Sequence, residues 1–243
     1  VISKADIKHI RSLRRKKFRD QHQLFIVEGH KMLNAAITHR PELIKVIYTT
    51  SPEAFEAASD HEIISISSKT MDQISSLRSP QSVITICKKP RPRAVNAPLI
   101  LALDTIQDPG NMGTILRLAA WFGIDDIVAS EGCADIYNPK VVQASMGAIF
   151  TINTVVHELN NYLAEINQPI FGAVLEGENI YKQDLPTSGV ILMGNEGNGI
   201  NEALLPLISH PISIPKIGVG ESLNVAMATG IVLSEFRRAT LED

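Results

Sequence analysis

A chain of 243 residues that is 44% hydrophobic has material for a sizeable core, and its two cysteines, Cys87 and Cys133, are too few and too far apart for a disulfide framework or a zinc cluster. No uninterrupted apolar run approaches the roughly 18 to 20 residues that span a bilayer, and the basic, polar N-terminus lacks the apolar segment of a signal peptide, so the expected setting is cytoplasmic and away from membranes. The net charge of −3 conceals a division: residues 1–93 hold 17 Lys and Arg against 9 Asp and Glu, whereas residues 94–243 hold 6 against 17. A basic piece joined to an acidic one predicts that the first is drawn to a polyanion.

In chain order, Ser3 to Arg19 reads as a helix with an apolar stripe at Ile7, Ile10 and Leu13 and a cationic remainder, including Arg14, Arg15, Lys16 and Lys17. Such a face suits phosphate contacts that ignore base sequence; it equally suits a solvated surface. Leu24–Gly29 is a strand closed by glycine, followed by a helix at Lys31 to His39, a strand at Leu43 to Thr49, a helix at Pro52 to Ser59, and strands at Ile63 to Ile66 and Val83 to Ile86. This alternation makes a compact α/β unit. Lys88-Lys89-Pro90-Arg91-Pro92-Arg93, with two prolines and no apolar residue, is the linker, which places the domain boundary at 93/94.

The second unit opens with the strand Leu99 to Asp104 and a helix from about Met112 to Phe122, stopped by Gly123. A strand at Ile127 to Ala129, a helix at Pro139 to Met146, a strand at Phe150 to Val156 and a helix at Leu159 to Ile166 follow. Strands at Ile170 to Val174 and Val190 to Met193, a helix at Asn201 to Ile208, a strand at His210 to Ile214 and a helix from Asn224 to Arg238 complete the set. Strands that are apolar throughout, alternating with helices, imply a mostly parallel sheet covered on both sides.

Three loops sit where such strands open into helices: Asp108-Pro109-Gly110-Asn111-Met112-Gly113, Gly194-Asn195-Glu196-Gly197-Asn198-Gly199, and Ile214 through Glu221-Ser222-Leu223-Asn224. Ligands bind at such ends in open α/β sheets. The second loop has its glycines in the reverse of the dinucleotide spacing and no Gly-Lys-Ser/Thr for a phosphate loop. Asn111 and Ser222 are also suited to plain helix capping, and Glu196 to a solvated turn. Arg117 lies on an otherwise apolar helix and needs solvent or an anionic partner.

Taken together, these loops and Arg117 resemble the three ordered motifs of the SpoU/TrmH branch of the SPOUT RNA methyltransferases, over roughly residues 97 to 238. The first unit, with Phe25-Ile26-Val27-Glu28-Gly29, resembles the ribosomal-protein-L30e-like substrate-binding domain often found before it. The resemblance implies an RNA substrate-binding domain at 1–93 and a methyltransferase domain at 94–243 whose C-terminal segment forms a deep trefoil knot, an exception to the unknotted rule. It further implies a homodimer through the knotted domain, S-adenosylmethionine as methyl donor, no metal, and methylation of a ribose 2′-hydroxyl in RNA, rRNA rather than tRNA.

By position, Met193, Gly194, Gly199, Ile214 and Leu223 would hold the cofactor, and Asn111, Arg117, Glu196, Ser222 and Asn224 would form the active site. Arg117 and the basic helix would meet RNA. A guanidinium stays protonated at neutral pH, so Arg117 is expected to orient phosphate and hydroxyl while phosphate or water accepts the proton. Glu196 is expected to hold Arg117 or an asparagine. Two departures are present: Lys216 stands where the family often has methionine, and Val1 begins the chain without an initiator methionine, as processing or trimming would leave it. An inactive RNA-binding factor, a tRNA 2′-O-methyltransferase and a base-methylating knotted enzyme are the alternatives.

Overall fold

The computed structural model describes residues 2–54, 60–238 and 240. In chain order the elements are α1 (Lys4–Ser12), α2 (Lys16–His22), β1 (Leu24–Glu28), α3 (His30–His39), β2 (Ile44–Thr49), β3 (Ile63–Ser65), α4 (Ser68–Ile74), β4 (Val83–Lys88), β5 (Leu99–Leu103), α5 (Pro109–Trp121), β6 (Asp126–Ala129), α6 (Pro139–Ser145), β7 (Asn153–Val156), α7 (Leu159–Glu165), β8 (Ile170–Asn179), β9 (Gly189–Met193), β10 (His210–Ser213) and α8 (Val225–Arg238). They fall into two compact units: Val1–Arg91 with Asp135–Thr151, and Pro92–Ala134 with Ile152–Asp243. Residues 55–59 of the helix expected at Pro52 to Ser59 lie outside the described residues.

In the first unit a four-stranded mixed sheet runs in the order β1-β4-β2-β3. Every residue of β1 is buried because both faces of the sheet are covered. Leu24, Ile26, Val46, Ile84 and Ile86 pack with Ile10 and Leu13 on one side and Met71 and Ile74 of α4. Phe25, Val27, Ile47 and Val83 pack on the other with Met32, Leu33 and Ala36 of α3 and with Val142, Ile149 and Phe150. Those last residues explain why 135–151, expected in the second unit, belongs to the first: they fill a face that the ten-residue α3 leaves open. Asp135 adds a buried ion pair to Arg19 at 2.5 Å, and Tyr137 packs on Phe25 at 4.9 Å between ring centroids. The segment carries one acid, Asp135, and one base, Lys140, so the basic balance of this unit stands.

The single helix expected over Ser3 to Arg19 is two. Ser3 and Asp6 form a reciprocal capping box at the start of α1, but after Ser12 the bonds tighten to three-residue turns, Arg14 N to Arg11 O and Arg15 N to Ser12 O. This break lets Leu13 bury fully and turns the Arg14 guanidinium onto the carbonyls of Ile74 and Ser75, at the end of α4. The unexpected α4 is short and polar, nucleated by Ser67 accepting from Thr70 N.

The second unit is a six-stranded sheet, β10-β8-β9-β5-β6-β7, parallel at every pairing. Ile100, Ala102, Val128, Val190 and Leu192 pack toward Leu159 and Leu163 of α7; alternation sends their neighbours Leu101, Leu103, Ile127 and Ile191 to the opposite face. There α5 and α8 lie against each other, with Arg237 donating to the carbonyls of Phe122 and Gly123 at the end of α5. The helix expected over Asn201 to Ile208 does not form. Its bonds are three-residue turns, among them Leu204 N to Asn201 O and Leu207 N to Leu204 O, and Pro206 lacks the N–H that an α-helix would use. Phe150 ends a 3-10 turn rather than starting β7, which begins at Asn153.

Candidate active site

The carboxyl ends of β5 and β9 are neighbours, and the loops that leave them are joined within the second unit. After β5, Asp108 caps α5 by accepting from the Asn111 N–H at 2.8 Å, and Pro109 occupies the first turn, where no N–H is missed. The cap is therefore Asp108, which leaves the Asn111 side chain free. Asn111 donates from Nδ2 to Glu196 Oε1 at 2.5 Å. Its Oδ1 accepts from Asn224 Nδ2 at 2.9 Å. Asn224, not Ser222, caps α8: its Oδ1 accepts from the N–H groups of Ala226 and Met227 at 3.0 and 3.2 Å. Three polar side chains from three loops thus form one hydrogen-bonded row, with the carboxylate at one end and a helix N-terminus at the other.

Of the expected active-site residues, Asn111, Glu196 and Asn224 are brought together. Arg117 and Ser222 are not part of the row; both are exposed and neither has a hydrogen-bond or ion-pair partner among the described residues. Arg117 takes the solvent alternative that its otherwise apolar helix allowed. It stands six residues past Asn111, about 9 Å along the axis.

The residues expected to hold a cofactor border the row. Met193 ends β9, buried, with its carbonyl accepting from Asp104 N at 2.8 Å. Gly194 must be glycine, because a Cβ there would collide with the main chain of Gly199 and Ile200. Gly199 has φ +70 and open space where a side chain would stand. Ile214 is half-buried just beyond β10, and Leu223 is exposed beside Asn224. Between Lys216 and Leu223 no main-chain N–H donates to a described residue, and only the Gly220 carbonyl accepts, from the Lys216 ammonium at 3.0 Å. Unpaired main-chain donors and acceptors beside apolar side chains are what a flat heteroaromatic ring requires.

One residue of the site, Thr105, carried no signal in the sequence, and another, Asn195, showed only as part of its motif loop with no role of its own. Asn195 closes the Glu196 loop through a two-way bridge with Gly199, N–H to carbonyl at 2.8 and 3.0 Å, and Thr105 adopts φ +56. A β-branched residue in that conformation costs about 1–2 kcal/mol, and neither composition nor periodicity marks it.

In the first unit, the four residues expected to meet RNA divide. Arg14 is half-buried and bonded to carbonyls, Lys16 pairs with Asp20 at 2.9 Å, and Arg15 and Lys17 are exposed without partners among the described residues. Arg19, although part of the same basic run, is 2% exposed and wholly structural.

Residues 98–234 match the SpoU rRNA Methylase family, and residues 4–85 match the MRM3-like substrate binding domain. The 23S rRNA (guanosine(2553)-2′-O)-methyltransferase RlmP of Bacillus subtilis (strain 168) is 30% identical over 240 residues, 95% of either chain. A putative RNA methyltransferase of the TrmH family from Porphyromonas gingivalis superposes with a TM-score of 0.88 at 35% identity, covering 98% of this chain and 99% of that one. An AdoMet-bound rRNA methyltransferase from Sinorhizobium meliloti does so at 0.87 and 29%, covering 98% and 97%. The chain belongs to the SpoU rRNA methylase family.

Proposed function

We propose that this protein is an RNA 2′-O-ribose methyltransferase using S-adenosylmethionine, with rRNA as its substrate. The observation that carries the proposal is the Asn111–Glu196–Asn224 row, built from the three loops of the family's motifs. Relatives named for rRNA 2′-O-methylation, one of which aligns over 95% of the chain, support the substrate class.

The donor set fits the cofactor. Main-chain groups of 216–223 without partners suit the edge of an adenine, and exposed Leu223, half-buried Ile214 and the open space at Gly199 suit its faces, with buried Met193 and Gly194 shaping the loop behind them. When bound, S-adenosylmethionine supplies an electrophilic methyl group on a sulfonium centre. The chain's own task is to hold a ribose hydroxyl in line and to let its proton leave. The row fixes polar groups in one geometry: Glu196 holds Asn111, the asparagine alternative of the two expected, and Asn224 locks Asn111 from the other side while capping α8. Arg117, exposed and without a side-chain partner among the described residues, can fork onto a phosphate and orient the hydroxyl beside it, with phosphate or water taking the proton. Ser222, on the open loop, is available to the same nucleotide.

The basic first unit, with Arg15 and Lys17 open to solvent, brings RNA to a unit whose own acidic balance would repel it. Trp121 at the end of α5 is 81% exposed and Met227 on α8 is 68% exposed. Large apolar side chains on adjacent helices support a homodimer through this unit, and family membership supports the trefoil knot.

The test is incubation with labelled S-adenosylmethionine and rRNA or tRNA, followed by nucleoside separation. Label in a 2′-O-methylnucleoside from rRNA is expected; label in a base, or in tRNA alone, refutes the proposal in substrate or position, and no label in any RNA favours a binding factor. Arg117→Lys is expected to lose most turnover, and near-normal turnover would refute the need for a planar fork.

A further inference from the structure

Asn195 uses every polar group it owns. Its main chain is bridged to Gly199. Its Oδ1 accepts from the N–H groups of Gly197 and Asn198 at 2.8 and 3.2 Å, and its Nδ2 donates to the Thr105 carbonyl at 2.7 Å. The amide has one permitted orientation, because the flipped form would set its NH2 against two N–H groups and its oxygen against a carbonyl. Thr105 is fixed as firmly. Its N–H donates to Ser130 Oγ at 2.8 Å and its hydroxyl to Asp104 Oδ1 at 2.8 Å, while the next N–H, of Ile106, donates to Cys133 Sγ at 3.3 Å. Cys133 Sγ in turn donates to the Leu103 carbonyl at 3.3 Å. The left-handed turn at Thr105 therefore stands where its carbonyl must meet the Asn195 amide.

We propose that Asn195 and Thr105 are positioning residues that brace Glu196 against the end of β5, so that its carboxylate meets the Asn111 amide in one geometry. The inference rests on the assignment of Glu196 to the active site. It adds a separate claim: the Glu196 loop is aimed from outside itself, by a strained residue with no chemistry of its own. The Asn195–Thr105 bond closes a circuit through both loops, since Asn111 lies six residues past Thr105 and Glu196 directly follows Asn195.

The experiment compares N195A, N195D and E196A in the full-length protein by turnover, KM for RNA and thermal midpoint. N195A is expected to lose kcat on the order of 100-fold, as displacement of a reacting group by about 1 Å does, with KM for RNA nearly unchanged. N195D keeps the acceptor for Gly197 and Asn198. When ionised it turns a carboxylate oxygen on the Thr105 carbonyl; when protonated it can donate there. Its kcat relative to wild type is therefore expected to rise as the pH falls from about 8 toward about 5, which a merely structural role would not produce. A flat ratio overturns the brace, as does N195A turnover within about 3-fold of wild type. Should N195A fail to fold, the N195D profile decides alone. E196A at wild-type turnover refutes the Glu196 assignment itself, whereas an inactive E196A beside an active N195A refutes the brace only.

Discussion

Replacing Glu196 by Gln and by Ala separates what its charge does from what its shape does. Glu196 Oε1 accepts the Asn111 amide at 2.5 Å in a half-buried setting. A hydrogen bond to a charged group contributes about 1.5–3 kcal/mol and a neutral one about 0.5–1.5 kcal/mol. Gln can still accept through its carbonyl oxygen, so Glu196→Gln forfeits about 1 kcal/mol, roughly a 5-fold loss of turnover. Ala leaves the Asn111 amide without its acceptor and forfeits the whole bond, about 12- to 160-fold. The measurement is single-turnover methyl transfer from labelled S-adenosylmethionine at saturating RNA, which keeps binding and product release out of the rate. In a cycle with Asn111→Ala, the two losses should overlap by about 0.5–3 kcal/mol, because the residues share one bond. Equal loss in Gln and Ala would mean that the negative charge, not the bond to Asn111, is what the reaction needs. That result would refute the positioning role given to Glu196.

Asp126 predicts an acid-dependent stability. Burial alone would raise its carboxyl, but the Asn153 amide, the N–H groups of Ala97 and Asn96 and the Arg93 guanidinium together hold it below the ordinary carboxylate value. A lowered folded value means stability that is present above the unfolded value, about 3.9, and lost as pH falls through the folded one. In urea unfolding across pH, Asp126→Asn should cost about 1–3 kcal/mol at neutrality and flatten the acid limb; an unchanged limb would count against it. Arg19→Ala should cost about 3–5 kcal/mol by stranding Asp135, while Lys17→Ala, at an exposed position without a side-chain partner among the described residues, should stay within about 0.5 kcal/mol. Guanidinium unfolding of both separates the structural cations of the basic run from those open to solvent, and equal losses would refute that division.

The strands and the helices that flank the site were legible because they obey short-range rules: continuous apolar runs for strands covered on both faces, and a three-to-four residue period for α5 and α8. The motif loops were legible from glycines and polar residues at strand ends. What escaped depended on contacts between distant residues. Nothing local tells that Val142, Ile149 and Phe150 complete the core around Phe25, or that Leu13 will bury and break a helix that its period supports. The capping roles show the same limit, since Asp108 and Asn111, or Ser222 and Asn224, are interchangeable as capping types until the backbone selects one. Thr105 is the extreme case: its conformation is set by Ser130, Asp104 and Asn195, and no property of threonine announces it.

The third loop differs physically from the second, and the difference can be measured. β10 lies three strand positions from β5, about 14 Å at the usual spacing, whereas the segment that returns from it to Asn224 could reach more than about 30 Å if extended. It is therefore slack, and it shows the marks of slack: Ile217 is 98% exposed, main-chain partners are missing from 216 to 223, and the tie to Asn111 comes only at its end. The 194–199 loop has no such freedom, being bridged at Asn195 and Gly199 and bonded to Thr105. Adding S-adenosylmethionine should accordingly slow amide hydrogen exchange strongly across 216–223 and little at Gly197 and Asn198, which already donate to Asn195. If the two loops gained protection equally, the second would not be preformed, and the cofactor rather than the fold would be what aims Glu196.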